Sequence, residues 1–153
     1  MEETNWIPVQ LQRIILRDNS DQHWLYLEEQ NGSRGFPIVI ATIEAQEIHR
    51  VVSGISTGRP QTHAMAYGAI EAMGGAIERV DITDLRQNTF FAALVLRRPE
   101  GGLCVIDARP SDALALGLRC GCPIRVAESV LEHARTDTSG PDDLPPELPP
   151  DMA

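Results

Sequence analysis

The densest group of polar side chains in the 153-residue sequence is Asp107-Ala108-Arg109-Pro110-Ser111-Asp112. A short apolar run precedes it and apolar residues with helical spacing follow, so a strand should lead directly into a helix here. The first N–H groups of a helix have no partner within the helix and carry partial positive charge, so this junction could hold a phosphate. Arg109 could add a forked pair of donors, and Ser111 a hydroxyl.

The two carboxylates of this group allow a different chemistry. Asp107 and Asp112 could hold Mg²⁺ or Mn²⁺, because these ions prefer oxygen ligands, and a bound ion could assist the hydrolysis of a phosphodiester. A structural role is the alternative, in which Ser111 or Asp112 caps the helix and Arg109 pairs with an acid. The spacing of the residues leaves both interpretations open.

A second polar group is Arg59-Pro60-Gln61-Thr62-His63. Thr62 is a favourable N-cap, so His63 should lie in the first turn of a helix, where the helix dipole disfavours imidazolium. A neutral imidazole could serve as a general base or a metal ligand. A lone histidine at a helix start can also be a surface or packing residue, so this group is open to both interpretations as well.

Composition limits the classes of function. A net charge of −9 at pH 7 works against sequence-independent binding of nucleic acid through a broadly basic surface, although it does not exclude nucleic acid. All 13 basic residues are arginine, which excludes lysine chemistry such as a Schiff base. The dinucleotide, P-loop, serine-hydrolase and zinc-protease motifs are absent, so no organic cofactor is expected. The three cysteines lack zinc-site spacing and are expected to be reduced.

The sequence predicts a cytoplasmic protein without a membrane partner. Its longest strongly apolar run, Phe90 to Leu96, is far shorter than the roughly 20 residues that cross a bilayer. The first residues, Met1-Glu2-Glu3, are acidic where a secretory signal would be basic. Length and patterning indicate one compact domain at residues 1–134. Residues 135–153 are expected to be a disordered, acidic tail, because proline at this density supports neither helix nor ladder.

Apolar periodicity predicts the elements that position the polar groups. Strands are expected at residues 8–17, 24–27, 36–41, 77–82, 89–96, 103–106 and 123–126, and helices from residue 42 and at 62–73, 111–119 and 128–133. The first two strands should form a hairpin, and residues 84–88 should form a turn. This order predicts an α+β fold, with a mixed or antiparallel sheet and helices packed on it.

The helix that starts at residue 42 has a predicted buried face and a predicted solvent face. Its apolar residues recur with helical spacing at Ala45, Ile48, Val51, Val52 and Ile55. The charged residues on the opposite side are Glu44, Glu47 and Arg50.

The two polar groups and their surroundings resemble the bifunctional nuclease domain family, formerly described as a domain of unknown function. The resemblance spans roughly residues 7–133. It is carried by residues 106–116, by Arg59-Pro60 with Thr62-His63, by Ile82-Thr83-Asp84-Leu85 before Phe90-Phe91-Ala92, and by Pro123-Ile124 with Val130-Leu131. It implies a compact α+β fold, usually a homo-oligomer, and cleavage of both DNA and RNA.

The resemblance leads to one hypothesis, metal-assisted hydrolysis of phosphodiester bonds. The residues it assigns are His63, Asp107 and Asp112 for catalysis, Asp107 and Asp112 as ligands of Mg²⁺ or Mn²⁺, and Arg59, Thr62, Arg109 and Ser111 for substrate binding. Family sequences commonly carry an Asp directly after the His, whereas this chain has Ala64, so His63 would act alone or with Asp107 or Asp112. The hypothesis requires the starts of two helices to converge.

Two alternatives come from other classes of protein. The first is a non-catalytic oligomeric module in which Arg109 and a helix N-terminus bind a small anion or a nucleotide. The second is a structural or interaction protein whose polar motifs only cap helices.

Overall fold

The computed structural model describes residues 3–135, so most of the predicted acidic tail, from residue 136 onward, lies outside the described residues. The elements in chain order are β1 (Trp6–Ile15), β2 (His23–Glu29), β3 (Gly35–Ile40), α1 (Thr42–Ser53), α2 (Thr62–Ala72), β4 (Ala76–Arg86), β5 (Thr89–Arg97), β6 (Leu103–Ala108), α3 (Pro110–Cys120), β7 (Ile124–Ala127) and α4 (Glu128–Ala134). Across residues 3–135, every helix is too short or too polar to cross a membrane.

Seven strands form one mixed sheet in the order β3-β2-β1-β7-β4-β5-β6. Strand β7 joins two antiparallel meanders, because it pairs antiparallel with β1 and parallel with β4. Ile124 of β7 lies opposite Val9 on one side and Val80 on the other. The predicted α+β fold with a mixed sheet and an N-terminal hairpin is confirmed.

The sheet curls, so that its first edge approaches the second meander. The rings of Phe36 in β3 and Phe90 in β5 are stacked with centroids 5.5 Å apart. In the sheet order, four strands lie between β3 and β5, namely β2, β1, β7 and β4. The core contains buried apolar side chains from both meanders together with Ile48 of α1, Leu114 of α3 and Leu131 of α4. Burial of these side chains holds the helices against the sheet.

Helix α3 packs very closely on β4. A Cβ atom added at Gly117 would lie 2.6 Å from Cγ2 of Val80 and 3.2 Å from Sγ of Cys122. Only a residue without a side chain fits at this contact, so the glycine sets how near α3 lies to the sheet. The start of the same helix carries Asp112, so this contact also helps to position the polar group.

Only the first part of the apolar face predicted for α1 and the residues after it is buried. Ala45 and Ile48 are buried, but Val52 and Ile55 are 56% and 53% exposed, and Glu47 is only 4% exposed. Glu47 can be buried because arginines from two helices neutralise its carboxylate, and sequence periodicity does not reveal such partners. The predicted solvent position of Glu47 is therefore wrong.

The hairpin between β4 and β5 is tighter than predicted. Strand β4 continues to Arg86, which lies opposite Thr89, so residues 84–86 belong to the ladder and not to a turn. The connection has only two residues, Gln87 and Asn88, with φ of 50° and 60°. Two successive positive φ values are typical of the two-residue turns that match strand twist.

Strand β6 lies at the edge of the sheet and carries exposed apolar side chains. Leu103, Val105 and Ile106 are 44%, 69% and 44% exposed. The strand pairs with β5 along one side only. Edge strands commonly carry charged residues or proline that prevent pairing with another chain. In β6 the only charged residue is Asp107, near its end.

Candidate active site

The starts of α2 and α3 converge, as the catalytic hypothesis requires. His63 lies in the first turn of α2 and Asp112 in the first turn of α3. Nε2 of His63 and Oδ1 of Asp112 are 2.8 Å apart. The two side chains are 16% and 30% exposed, so the pair is partly shielded from solvent but can still be reached from it.

The hydrogen bond defines which nitrogen of His63 carries a proton. An ionised carboxylate only accepts hydrogen bonds, so Nε2 must donate to Asp112. In the neutral ring the proton is then on Nε2, and Nδ1 has a free lone pair. This arrangement leaves Nδ1 as a base while Asp112 fixes the ring, which is the chemistry that a general base needs.

Arg109 extends the contact to a third element. Its Nε donates to Oδ2 of Asp112 at 2.7 Å, and its Nη2 donates to Oε1 of Glu44 in α1 at 3.1 Å. The Arg109 side chain is nevertheless 66% exposed. The Nε and Nη2 side of the guanidinium group is therefore bound by protein, and the Nη1 side is open to a ligand.

The neighbouring groups keep Asp112 ionised. Burial alone would raise the pKa of this carboxyl, but the hydrogen bonds from Arg109 and His63 outweigh burial and hold its pKa below the ordinary value. The same contact with Asp112, together with the one with Glu44, raises the pKa of Arg109. The site therefore combines a fixed negative charge, a fixed positive charge and an imidazole.

The predicted capping roles are wrong. The N-cap residues are Gln61 for α2 and Arg109 for α3, and neither side chain forms a capping hydrogen bond to the backbone of its helix. Pro110 is the first residue of α3, so the N-cap lies two residues before Ser111 and three before Asp112, the predicted caps. The other part of the structural alternative is correct, because Arg109 does pair with acids.

Asp107 lies apart from this contact. In β6 it is opposite Ala93 of β5, whereas the next residue, Ala108, packs against the core. Because successive side chains of a strand point to opposite faces, Asp107 faces away from the core side of the sheet. In the described residues, the hydrogen-bonded contact of His63, Asp112 and Arg109 does not include Asp107.

A divalent ion bound by these two carboxylates would compete with bonds that Asp112 already makes. Both oxygens of Asp112 accept hydrogen bonds, one from His63 and one from Arg109. Within residues 3–135, no group of three or more His, Cys, Asp or Glu side chains could hold a metal ion. Binding of Mg²⁺ or Mn²⁺ by Asp107 and Asp112 stays a prediction.

The remaining predicted substrate-binding residues surround the contact unevenly. Ser111 is buried, at 7% exposure, and lines a pocket beside Arg109. Thr62 is exposed at the first position of α2. Arg59 is exposed in the preceding loop, where its carbonyl accepts a hydrogen bond from Thr57. Ser111 is therefore the residue of these three that adjoins Arg109.

The pocket beside Arg109 has a volume of about 230 Å³ and lies between β3, α1, the β4–β5 turn and the start of α3. Glu44, Leu85, Phe90, Arg109 and Ser111 contribute to its wall. Sequence reasoning missed Glu44 because an acidic residue in the first turn of a helix is common for reasons of the dipole alone. The available sequence signal for Glu44 was its charge, and its partner Arg109 is 65 residues away in the chain.

Residues 25–139 match the sequence model of a family described as the Bifunctional nuclease domain. The chain belongs to this family. An uncharacterized protein of Mycobacterium tuberculosis is 39% identical over 121 residues, which are 79% of this chain and 71% of that protein. The bifunctional nuclease domain thus accounts for the part of the chain that contains both polar groups.

Plant relatives connect the bifunctional nuclease domain with a named activity. A protein of Oryza sativa subsp. indica named Bifunctional nuclease 1 is 28% identical over 116 residues, 74% of this chain and 35% of that protein. Bifunctional nuclease 1 of Arabidopsis thaliana is 25% identical over 115 residues, 69% of this chain and 35% of that protein. The chain spans about a third of the length of these plant relatives.

Proposed function

We propose that this bifunctional nuclease domain hydrolyses phosphodiester bonds of DNA and RNA. The observation that carries the proposal is the continuous contact from His63 through Asp112 to Arg109. A base, its orienting carboxylate and a phosphate-binding cation are the three groups that such a hydrolysis needs. Membership of a nuclease family supports the same reaction class.

In the proposed reaction, Nδ1 of His63 removes a proton from a water molecule as its oxygen attacks phosphorus. Asp112 stabilises the imidazolium that forms, because its carboxylate already accepts the Nε2 hydrogen bond. The bond from phosphorus to the leaving oxygen breaks, and that oxygen takes a proton from solvent or from the imidazolium. A water molecule and one ester bond are consumed, and a phosphate monoester and a hydroxyl are formed.

Arg109 has the chemistry to bind the phosphate during this step. The bonds to Asp112 and Glu44 use Nε and Nη2, so the N–H groups of Nη1 can donate to a ligand. A guanidinium group forms strong charge-assisted hydrogen bonds to phosphate oxygens. A donor that is already fixed where charge develops stabilises the transition state without reorganisation.

The test is a cleavage assay on single-stranded and duplex DNA and RNA, with the wild type, His63→Ala and Asp112→Asn. His49→Ala is the matched control, because His49 is exposed on α1 and contacts Ser53 one turn along the same helix. We expect the two site variants to lose about 10²- to 10⁴-fold in rate, the usual contribution of a positioned base. Equal cleavage by the wild type and His63→Ala would reject the proposal and indicate a contaminating nuclease.

The same assay tests the predicted metal requirement. Each protein is assayed with Mg²⁺, with Mn²⁺ and with EDTA. Cleavage that persists in EDTA would contradict a requirement for Mg²⁺ or Mn²⁺. Cleavage that depends on the metal and is lost in Asp107→Asn would support the predicted ligand role of Asp107.

A non-catalytic module that binds a small anion or nucleotide is the second candidate. The pocket of about 230 Å³ beside Arg109 favours it, because Glu44, Arg109 and Ser111 offer charged and polar groups against apolar walls. A ligand that binds only the folded state raises the melting temperature. Stabilisation by mononucleotides with no cleavage of any polymer would favour this module over the nuclease.

A further inference from the structure

A second polar cluster, which the proposed reaction does not use, surrounds Glu47 of α1. Oε2 of Glu47 accepts a hydrogen bond from Nη2 of Arg50, and Oε1 accepts one from Nη2 of Arg119 in α3, each at 2.8 Å. Glu47 is only 4% exposed, and a buried carboxylate is costly unless it is paired in this way. The cluster therefore holds two guanidinium groups at fixed positions.

The cluster carries more cationic hydrogen-bonding capacity than Glu47 consumes. Two guanidinium groups face one carboxylate, which leaves a net charge of +1. The bonds to Glu47, and a further one at 2.9 Å from Arg50 to Oε1 of Gln61, use only the Nη2 atoms. Each guanidinium has five N–H groups, and the two side chains are 24% and 30% exposed, so donors remain for a ligand.

These groups line a cavity of about 200 Å³, here called the arginine pocket. Its wall includes Glu47, Arg50, Ser56, Gln61, Ala64 and Arg119. Its volume is several times the roughly 30 Å³ of a water molecule, so the pocket has room for a phosphodiester group. Fixed guanidinium groups beside hydroxyl and amide side chains are the chemistry that binds phosphate oxygens.

The arginine pocket adjoins the candidate active site along two helices. Gln61 and Ala64, which line it, are the N-cap and a first-turn residue of α2, and they lie on either side of His63 in the chain. On α3, Asp112 and Arg119 are about two turns apart, or roughly 10 Å along the axis. A nucleic acid strand in B-form carries a phosphate about every 3.4 Å along its axis, so one strand can reach both places.

We infer that the arginine pocket binds a non-scissile backbone phosphate of the strand that the active site cleaves. The inference rests on the proposed function for its ligand. It assigns Arg50 and Arg119 to substrate positioning, separate from Arg109 at the scissile phosphate. It also shows how an acidic protein can hold a polyanion, because two local cationic sites replace a broadly basic surface.

The test measures binding of a fluorescent oligothymidylate by anisotropy between about 50 and 200 mM salt. All proteins carry His63→Ala, so that cleavage does not interfere. Arg119→Gln removes donors from the arginine pocket. Ser56→Asp adds a negative charge to its wall and leaves the bonds of Glu47 in place, so it separates binding from folding. Ser53→Asp adds the same charge at an exposed position that does not line the pocket and is the matched control.

We expect Arg119→Gln and Ser56→Asp to weaken binding about tenfold, as one lost charged hydrogen bond does. We also expect the slope of log K against log salt to shrink by about 0.7, the value for one phosphate contact on a single strand. Ser53→Asp should keep the affinity and slope of the parent protein. A purely structural role for the cluster would lower the urea midpoint of Arg119→Gln and leave the salt slope unchanged.

The outcomes separate the two proposals. Unchanged affinity and slope in both pocket variants, with wild-type cleavage intact, would overturn the phosphate subsite and leave the nuclease in place. Reduced slopes in both variants, with a wild type that cleaves nothing, would support the subsite and reject the nuclease. A parent protein that does not bind the oligonucleotide would overturn the subsite.

Discussion

At Asp112 one carboxylate group joins three elements of the chain. One oxygen binds His63 of α2, and the other binds Arg109, which reaches Glu44 of α1. These contacts hold the pKa of Asp112 below its ordinary value despite its burial. A carboxyl group with a lowered pKa in the folded state stabilises the fold only while it is ionised. The contribution should therefore depend on pH.

Asp112→Asn should destabilise the protein by about 1 kcal/mol at neutral pH, because the amide cannot form charge-assisted hydrogen bonds. The stabilisation by wild-type Asp112 is present above the unfolded pKa of about 3.9 and is lost as pH falls through the lower folded pKa. The difference in urea midpoint between the two proteins should therefore shrink below about pH 4. A difference that stays constant down to complete acid unfolding would contradict this.

Asp18→Asn serves as the control for this measurement. Asp18 is exposed in the turn between β1 and β2. Its substitution should change the urea midpoint little at any pH, since exposed groups contribute little to stability.

At the scale of elements, the contact between α3 and β4 provides a sharp test of packing. Gly117→Ala would place a Cβ atom 2.6 Å from Val80, in a core that cannot give way easily. We expect a loss of about 1–3 kcal/mol in the free energy of unfolding, typical of overpacking. Urea denaturation measures it.

Gly68→Ala is the matched change in helix α2. A Cβ atom at Gly68 would have no neighbour within 4 Å, so the variant gains helix propensity without a clash. We expect a stabilisation of about 0.4–1 kcal/mol. The same sign of effect for both glycines would show that packing against β4 does not decide the result at Gly117.

A network of ion pairs links the β2–β3 hairpin to α4. Arg34, in the loop between these strands, bonds to Glu29 at 2.9 Å, to Glu128 at 2.6 Å and to Glu132. Hydrogen bonds from Arg34 are the main reason that the pKa values of Glu29 and Glu132 are lowered. The three carboxylates would repel one another if the guanidinium group were removed.

Arg34→Gln should therefore lower the free energy of unfolding by about 1–2 kcal/mol, between the values for an exposed pair and a buried pair. Arg97→Gln is the control, because among residues 3–135 Arg97 pairs with a single carboxylate, that of Glu78, and is 48% exposed. Its effect should stay below about 1 kcal/mol, and thermal unfolding at low and high salt compares the two. An effect no larger than that of the control would contradict cooperation within the network.

Local patterns in the sequence predict most elements but not the contacts between them. Apolar alternation locates the β1–β2 hairpin and the strand that leads to Arg109, because both signals lie within a few residues. The turn at Gln87 and Asn88 escapes prediction, since Gln seldom adopts a positive φ. His63 and Asp112 are 49 residues apart, so their contact depends on the whole packing arrangement. Arg119, the partner of Glu47 in α3, is likewise not evident from the sequence, because it lies 72 residues away.

At the scale of the whole molecule, the predicted homo-oligomer can be tested at β6. A second copy could pair with the open side of this strand and cover Leu103, Val105 and Ile106. Val105→Glu would place a charge in that contact and should shift the mass measured by sedimentation toward the monomer. Val52→Glu, at an exposed apolar position on α1, should leave the mass unchanged. A wild type that is monomeric at all concentrations would contradict the prediction.

Strand β7 joins the two meanders although it follows both of them in the chain. During synthesis from the N-terminus, each half can form its own ladders as it emerges, but the halves stay unjoined until residues 124–127 leave the ribosome. Strand β1 cannot pair with β7 until more than 100 further residues have been translated. Until then, one edge of β1 is open to other nascent chains. Maturation of this protein thus depends on a four-residue strand made near the end of the domain.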